Sequence, residues 1–337
     1  MKLIVHVASA TACLIASVAV RPADSLRPSA SSPERDFTFT YIAKVPAAPQ
    51  GAKSSRVWIP LPQSNEYQTI NDLKIETRFA YEKRRDSQYG NEFLFVEIPA
   101  AELAAPAEVR LSFHGARREH RVVLDSHTAS VGPPMGDTTS LQRFLEPDRL
   151  VPLQGVISDL STQVTQGKAE PIEKARAIYN YVVATMRYDK SGTGWGNGDA
   201  IWACTSKRGN CTDFHSLFIG MLRAAGIPSR FEIGFSIPSE HAGAIPGYHC
   251  WAEFYVEPYG WIPVDASEAW KHPEKKDYFF GAHDANRVQF TMGRDIRLEP
   301  QQQGGPLNYF IYPYAEVDGK PFAVESNFSF RDRVGDN

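Results

Sequence analysis

The sequence predicts an α+β protein: a small all-β sandwich followed by a half that mixes one long helix with several strands. Three observations predict it. Between residues 36 and 125, short apolar runs alternate with polar residues at a period of two, as in half-buried strands. After Pro171, apolar residues recur at steps of three and four along two stretches, as on one face of a helix. From Gly247 the period of two returns, so strands follow helices in blocks, an α+β order.

The elements follow in chain order. Lys2, the apolar run Leu3 to Val20 and the small residues Ala16, Ser17 and Ala19 read as a signal peptide over residues 1–23. Cleavage is expected near Ala19 or Ala23, and the protein is expected to be exported, periplasmic or secreted. An uncleaved anchor is the alternative, since the run sits at the bottom of the spanning range of about 17–25 residues. His6 and several Ser and Thr weigh against it. Ala10 stands where a lipobox usually has Leu, which argues against Cys13 as a lipidation site. No later apolar stretch is long enough to cross a bilayer.

Residues 24–35, rich in Pro, Ser and Ala, read as a flexible linker. Over 36–125 the strand candidates are Phe37/Phe39/Tyr41, Val57–Ile59, Leu73 to Phe79, Phe93–Ile98, Val109/Leu111/Phe113 and Arg121–Leu124. Short strands separated by Pro- and Gly-containing turns predict a β-sandwich. Residues 126–150 lack a period and read as a linker or wrapping segment. The core is placed at 151–299. Its first clear helix starts at Pro171, a residue suited to the first helical turn, and presents Ile172, Ala175, Ile178, Tyr179, Val182, Val183 and Met186 on one face. Residues 191–199 form a Gly-rich loop holding Trp195. Residues 300–337 are a C-terminal extension with a hairpin at Asp318-Gly319, expected to close a sheet or cap a domain boundary.

Composition excludes some classes of function. A chain of 337 residues accommodates two domains, and 42% hydrophobic with 22% charged residues excludes general disorder. A net charge of −3 and a pI of about 6.3 carry no basic field for nucleic acid or anionic membrane surfaces. The cysteines are Cys13, Cys204, Cys211 and Cys250. Removing the signal leaves an odd number, so one thiol is expected to be free.

Cys211 is the candidate nucleophile. Asn210 is a good N-cap and Asp213 falls in the first turn of a helix that runs through Phe214, Leu217, Phe218, Met221 and Leu222 and stops at Gly226-Ile227-Pro228. Cys211 thus precedes the apolar stripe and sits near the first helical position. Unsatisfied N–H groups and the positive end of the helix dipole favour thiolate there, and the residue's own N–H can hold an oxyanion. A structural thiol is the competing reading of position alone.

His249 and Asp265 are the candidate partners. Gly247 to Val256 reads as a strand with His249, Trp251, Glu253 and Tyr255 on one face and Cys250, Ala252, Phe254 and Val256 on the other. Cys250 is therefore expected to point away from His249 and to be packed or disulfide-bonded. Pro258-Tyr259-Gly260 turns the chain into Trp261 to Val264, with Asp265 at the end. A turn centred there places the residue opposite His249 slightly beyond Asp265, so contact requires a diagonal approach or a bulge. A carboxylate would fix the imidazole tautomer of a Cys–His pair.

These blocks resemble a known family. Gly209-Asn210-Cys211-Thr212-Asp213-Phe214-His215, with Leu222-Arg223-Ala224-Ala225-Gly226-Ile227-Pro228-Ser229-Arg230, is similar to the signature of the transglutaminase-like superfamily. So are His249-Cys250-Trp251-Ala252-Glu253 and Gly260 to Asp265. The resemblance covers roughly residues 150–295, and Trp58-Ile59-Pro60-Leu61-Pro62 resembles the leader domain of exported bacterial members. It implies a papain-like core, a nucleophile helix packed on an antiparallel sheet. It further implies attack by Cys211 on an amide or peptide carbonyl to form a thioester, with His249 protonating the departing amine and Asp265 orienting His249. Water (peptidase or amidase) or an amine (transglutaminase-type transfer) would then resolve the thioester. The oxyanion helper would come from an upstream side chain, with Trp195 and Trp202 as candidates. Cys250 stands where a small residue is commoner, and no acidic cluster resembles a calcium site, so no cofactor is implied. The substrate would be a protein, peptide or cell-envelope amide.

Two rival readings complete the analysis. A non-catalytic peptide- or envelope-binding module could use the same fold. A metal site among Cys204, Cys211, His215, His241, His249 and Cys250 lacks paired ligand spacing, so no metal is expected. His215, four residues after Cys211 on the helix, could face the site, but a packing or solvent-facing role is expected. Parity and an oxidising compartment motivate a Cys204–Cys250 disulfide that leaves Cys211 free.

Overall fold

Two five-stranded antiparallel sheets and a four-stranded sheet backed by helices make up the structure. The computed structural model describes residues 33–124 and 138–333. The expected signal peptide, most of the 24–35 linker, residues 125–137 and the last four residues lie outside them. Among the described residues no helix is long and apolar enough to cross a membrane.

The first sheet has the order Ala242–Ile245, Glu325–Asp332, Glu34–Val45, Ala107–Arg118, Gln68–Glu76. Its central strand begins at Glu34, so Glu34 and Arg35 belong to the sheet and not to the expected linker. Phe37, Phe39, Tyr41, Ala43 and Val45 are buried at alternate positions, as the pleat of a one-sided strand requires. The second sheet has the order Lys320–Phe322, Tyr314–Val317, Ser55–Pro60, Glu92–Ile98, Tyr81–Arg85. Of its inner strands, Ser55–Pro60 and Glu92–Ile98 are buried almost continuously. One face joins the main core through Val57, Ile59, Leu94 and Val96. The other is covered by a second cluster of Trp58, Phe93 and Phe95 with Ile296, Leu298 and Phe310.

The C-terminal segment completes both sheets. The hairpin forms at Asp318-Gly319, with Val317 opposite Lys320. Its first strand pairs with Ser55–Pro60, and Glu325–Asp332 pairs along Glu34–Val45. Residues 138–150 include a 3-10 stretch, Thr138–Leu145, that wraps the core. Phe144 packs edge-on against Trp261, and Arg143 reaches Asp148.

The core sheet has the order Gly260–Val264, His249–Val256, Ser229–Ser236, Arg287–Met292. Its register shifts between Ile233 and Gly234, where a Cβ on Gly234 would lie 1.8 Å from Val288 O, so only glycine fits this bulge. The helices are α1 (Val156–Val164), α2 (Pro171–Thr185), α3 (Ala200–Ser206), α4 (Cys211–Ala224) and α5 (Ala266–Lys271). Pro171 occupies the first turn of α2, which buries Ala175, Ile178, Tyr179 and Val182. This is an α+β architecture with a papain-like core and an N-terminal β-sandwich.

Helix α4 departs from its one-sided sequence pattern. Every residue from Cys211 to Arg223 is buried, because α1, α2, α3, α5 and the strand His249–Val256 surround it. Its polar side chains each have partners. Those of the first turns, Thr212, Asp213, His215 and Ser216, surround Cys211 and locate the candidate site.

Candidate active site

The start of α4 is shaped by local chemistry. Asn210 caps it by accepting from Thr212 N at 2.9 Å, and Asp213 Oδ2 accepts from Asn210 N at 2.9 Å, a reciprocal capping box. The same carboxylate accepts from Gly196 N (2.7 Å) and Gly198 N (3.0 Å). The Gly-rich loop is thereby tied to the helix. Gly209 approaches so closely, at a φ of 147°, that a Cβ there would lie 2.2 Å from Asp213 Oδ2. Cys211 is the first residue of the helix and 2% exposed. Its N–H belongs to the group that has no partner within the helix.

The structure brings the three sequence-predicted residues together. His249 opens its strand, and its Nε2 lies 2.8 Å from Asp265 Oδ2. The Cys211 sulfur is near enough to this imidazole for each to shift the other's charge state. The ladder pairs Ala252 with Val264 and Tyr255 with Trp261, so Asp265 reaches His249 diagonally from beyond the strand end. It does so as the N-cap of α5, with Oδ1 accepting from Glu268 N and Ser267 Oγ, each at 3.0 Å. Arg287 Nη1 lies 3.2 Å from Oδ2. Asp265 is fully buried, so these donors replace water around its charge.

The electrostatics favour an ion pair. Burial opposes charge on His249, but the Asp265 carboxylate and the Cys211 sulfur outweigh it, and the imidazole is pushed up to about 10. Burial likewise opposes a thiolate at Cys211. Hydrogen bonds from Cys250 and His249, with the charge on His249, outweigh burial and hold Cys211 well below the ordinary thiol range. Burial also opposes ionisation of Asp265, yet the His249 charge and hydrogen bond, then Arg287, hold it well below the carboxylate range. These directions favour a thiolate at Cys211 and an imidazolium at His249 backed by a carboxylate, an arrangement suited to delivering a nucleophile and a proton to the same carbonyl.

Several neighbours carried no sequence signal. Cys250 does point to the α4 side, as alternation predicts, but that side holds Cys211, the candidate nucleophile. The Cys250 Sγ lies 3.7 Å from Thr212 Oγ1 and 3.8 Å from His215 Nδ1. Burial and then the Cys211 sulfur push Cys250 well above the thiol range, so it stays a neutral donor. Cys204, Cys211 and Cys250 are all free thiols. The Cys204–Cys250 disulfide that parity raised as an option is thus absent: Cys250 packs against α4 and Cys204 lies on α3. His215 is fully buried and accepts from Ala266 N at 3.1 Å, so it packs and does not face solvent. Tyr248 bonds Thr212 Oγ1 (2.8 Å) and Asn210 Nδ2 (3.0 Å). Tyr188 is pushed up by burial and then by the Cys211 charge, which places it beside the thiolate as a neutral phenol. Trp195 spends its indole N–H on Gly192 O, and Trp202 packs on Gly194.

Replacing Cys250 with alanine is expected to raise the midpoint pH of Cys211 alkylation by about one unit, since the neighbouring S–H helps hold the thiolate. A pH series of pulse alkylation read by mass spectrometry checks this. An unmoved midpoint would remove Cys250 from the electrostatics.

Comparison with known proteins places these residues in context. Residues 158–266, which include Cys211, His249 and Asp265, match the transglutaminase-like superfamily. An uncharacterized protein of Haemophilus influenzae is 31% identical over 325 residues, covering 85% of this chain and 86% of that one. The uncharacterized protein YebA of Bacillus subtilis is 21% identical over 262 residues, a match that spans 64% of this chain and 36% of YebA. Among solved structures, the "Putative Cysteine Protease" of Cytophaga hutchinsonii shares the fold with a TM-score of 0.60 at 15% identity, covering 91% of this chain and 93% of that one.

Proposed function

The chain belongs to the transglutaminase-like superfamily, and on that premise we propose that it is a cysteine-nucleophile enzyme acting on amide or peptide bonds through a thioester. The observation that carries this reading is the buried 2.8 Å contact of His249 with Asp265, beside a buried Cys211 whose sulfur and the imidazole shift each other's charge state. A buried charge costs several kcal/mol to desolvate. A binding module gains nothing from holding an ion pair beneath its surface, whereas a nucleophile requires it.

The roles follow from the atoms. Cys211 Sγ attacks the carbonyl carbon, and the Cys211 N–H donates to the resulting oxyanion. His249 gives its proton to the leaving nitrogen as the C–N bond breaks, leaving a thioester and a neutral imidazole. Water or an amine then attacks the thioester while His249 takes its proton, and the acyl group leaves the sulfur. Asp265 holds the imidazolium in orientation throughout. Water yields peptidase or amidase activity; an amine yields acyl transfer. The N-terminal apolar segment supports an exported enzyme with peptide or cell-envelope amide substrates.

A brief, limiting iodoacetamide pulse across a pH series tests the reading. Lowering pH protonates Cys211 only below its depressed pKa, and raising pH removes the His249 proton only near pH 10. Labelling of Cys211 should therefore persist well below pH ~8.5, the ordinary thiol value, and outpace labelling of Cys204. His249→Ala should return Cys211 to ordinary thiol behaviour. Ordinary pH dependence in the native protein would discard the enzyme reading and leave the binding module. If the pair is present, product analysis with and without a primary amine separates hydrolysis from transfer.

A further inference from the structure

We infer that His120, Glu253 and His283 form a binding site for a divalent zinc-class ion, next to Trp251 and apart from the candidate active site. His283 is fully buried and His120 and Glu253 are each 3% exposed. One ligand atom from each lies within 4.8 Å of the other two. The residues are far apart in sequence and meet because His120 and His283 are cross-strand partners, with Glu253 on the strand that carries His249.

The hydrogen-bond inventory points to a missing partner. Neither ring nitrogen of His283 has one, although buried imidazole nitrogens are normally satisfied. His120 Nδ1 lies 3.2 Å from Glu253 Oε1, but the pair is too poorly aligned to count as a hydrogen bond. Ligand atoms this close together with unspent hydrogen-bonding capacity are placed to serve as co-ligands. A triangle with sides no longer than 4.8 Å has a point within about 2.8 Å of every corner, against zinc–ligand distances of ~2.0–2.2 Å. Side-chain shifts of well under an ångström at each ligand therefore close the site.

The surroundings hold these groups in place. Tyr67 stacks on His120 with centroids 3.7 Å apart, and Trp251 lies at a steep angle to His283 at 5.7 Å. Arg230 Nε binds Glu253 Oε2 at 2.9 Å, leaving Oε1 toward the imidazoles. The charges facing the cluster are Arg117, Arg230 and Arg287 against Glu232, Glu253, Asp284 and Asp265. The carboxylates are in excess by one. Two imidazoles and a carboxylate suit zinc, with water completing a fourth position. The ion would clamp His120–Arg121 to Ala282–His283, fastening the chain leaving the β-sandwich to the core.

The test uses the untagged chain carrying Cys211→Ala, so that the candidate nucleophile cannot take the ion. Elemental analysis should find about one zinc per chain. After chelation and dialysis, Zn²⁺ should rebind one-to-one and raise Tm. Co²⁺ should give ligand-field bands without a thiolate charge-transfer band. His283→Gln should weaken Zn²⁺ binding at least 100-fold and remove the Tm response. Failure of the unsubstituted site to take up Zn²⁺ or Co²⁺, or a thiolate band on Co²⁺ loading, overturns the inference without needing the His283 variant to fold. So does a folded His283→Gln chain that binds zinc as tightly as its parent. None of these outcomes bears on the Cys211–His249 pair.

Discussion

Cys211→Ala is expected to abolish turnover of amide substrates, a loss on the order of 10⁶-fold as for removal of other covalent nucleophiles, while Tm stays close to that of the unaltered chain. The loss is total because no other group can replace the sulfur. Cys250 is close, but burial and the Cys211 charge keep it protonated, and it does not occupy the first position of the helix. Folding survives because the helix start does not depend on the thiol. Asn210 caps through its own side chain and Asp213 secures the N-cap N–H and two loop N–H groups. Alanine is also a better helix former than cysteine. Steady-state assay on a peptide amide beside thermal unfolding checks both halves. Retained turnover removes Cys211 from the chemistry, and a collapsed Tm would mean that the thiolate is structural.

Asp265→Asn is expected to cut the rate by about 10³–10⁴-fold, through the wrong imidazole tautomer and loss of the charge that supports imidazolium. Asparagine remains a good N-cap, so α5 should keep its bond to Glu268 N. What changes is the balance of donors. Asp265 Oδ2 faces both His249 Nε2 and Arg287 Nη1, and an amide cannot accept from both while Oδ1 caps the helix. His249 should lose its raised pKa, so the Cys211 alkylation midpoint should move up in pH. Arg287 keeps Asp284 at 3.1 Å, which limits the stability loss to below the roughly 3–5 kcal/mol of a fully broken buried pair. A near-normal rate would show that another group orients His249. Glu268, whose Oε1 lies 3.9 Å from Nε2, is then the residue to alter next.

The sequence was most legible where structure is local. The capping box at Asn210-Asp213, the stop at Gly226, the first-turn Pro171 and the Asp318-Gly319 hairpin are each decided within a few residues, and each forms where the pattern places it. The alternation of Phe37, Phe39 and Tyr41 is equally local. Legibility fell where both sides of an element are covered. Helix α4 reads as one-sided because its first turns are polar, yet it is buried throughout. Those polar residues are inside because they serve one another. Arg287 and Tyr188 gave no signal, since a charged or phenolic side chain in a half-buried strand or loop is commonplace in sequence.

The sequence by itself determined that a cysteine begins a capped helix and that a histidine and an aspartate flank a returning strand pair, because capping and pleat alternation depend on near neighbours. Tertiary structure alone decided that Asp265 meets His249 from beyond the strand, that Cys250 borders the nucleophile, and that the last strand lies against the first. Those contacts join segments far apart in the chain. They depend on how whole elements pack and on side-chain directions at strand ends, where regular alternation no longer applies.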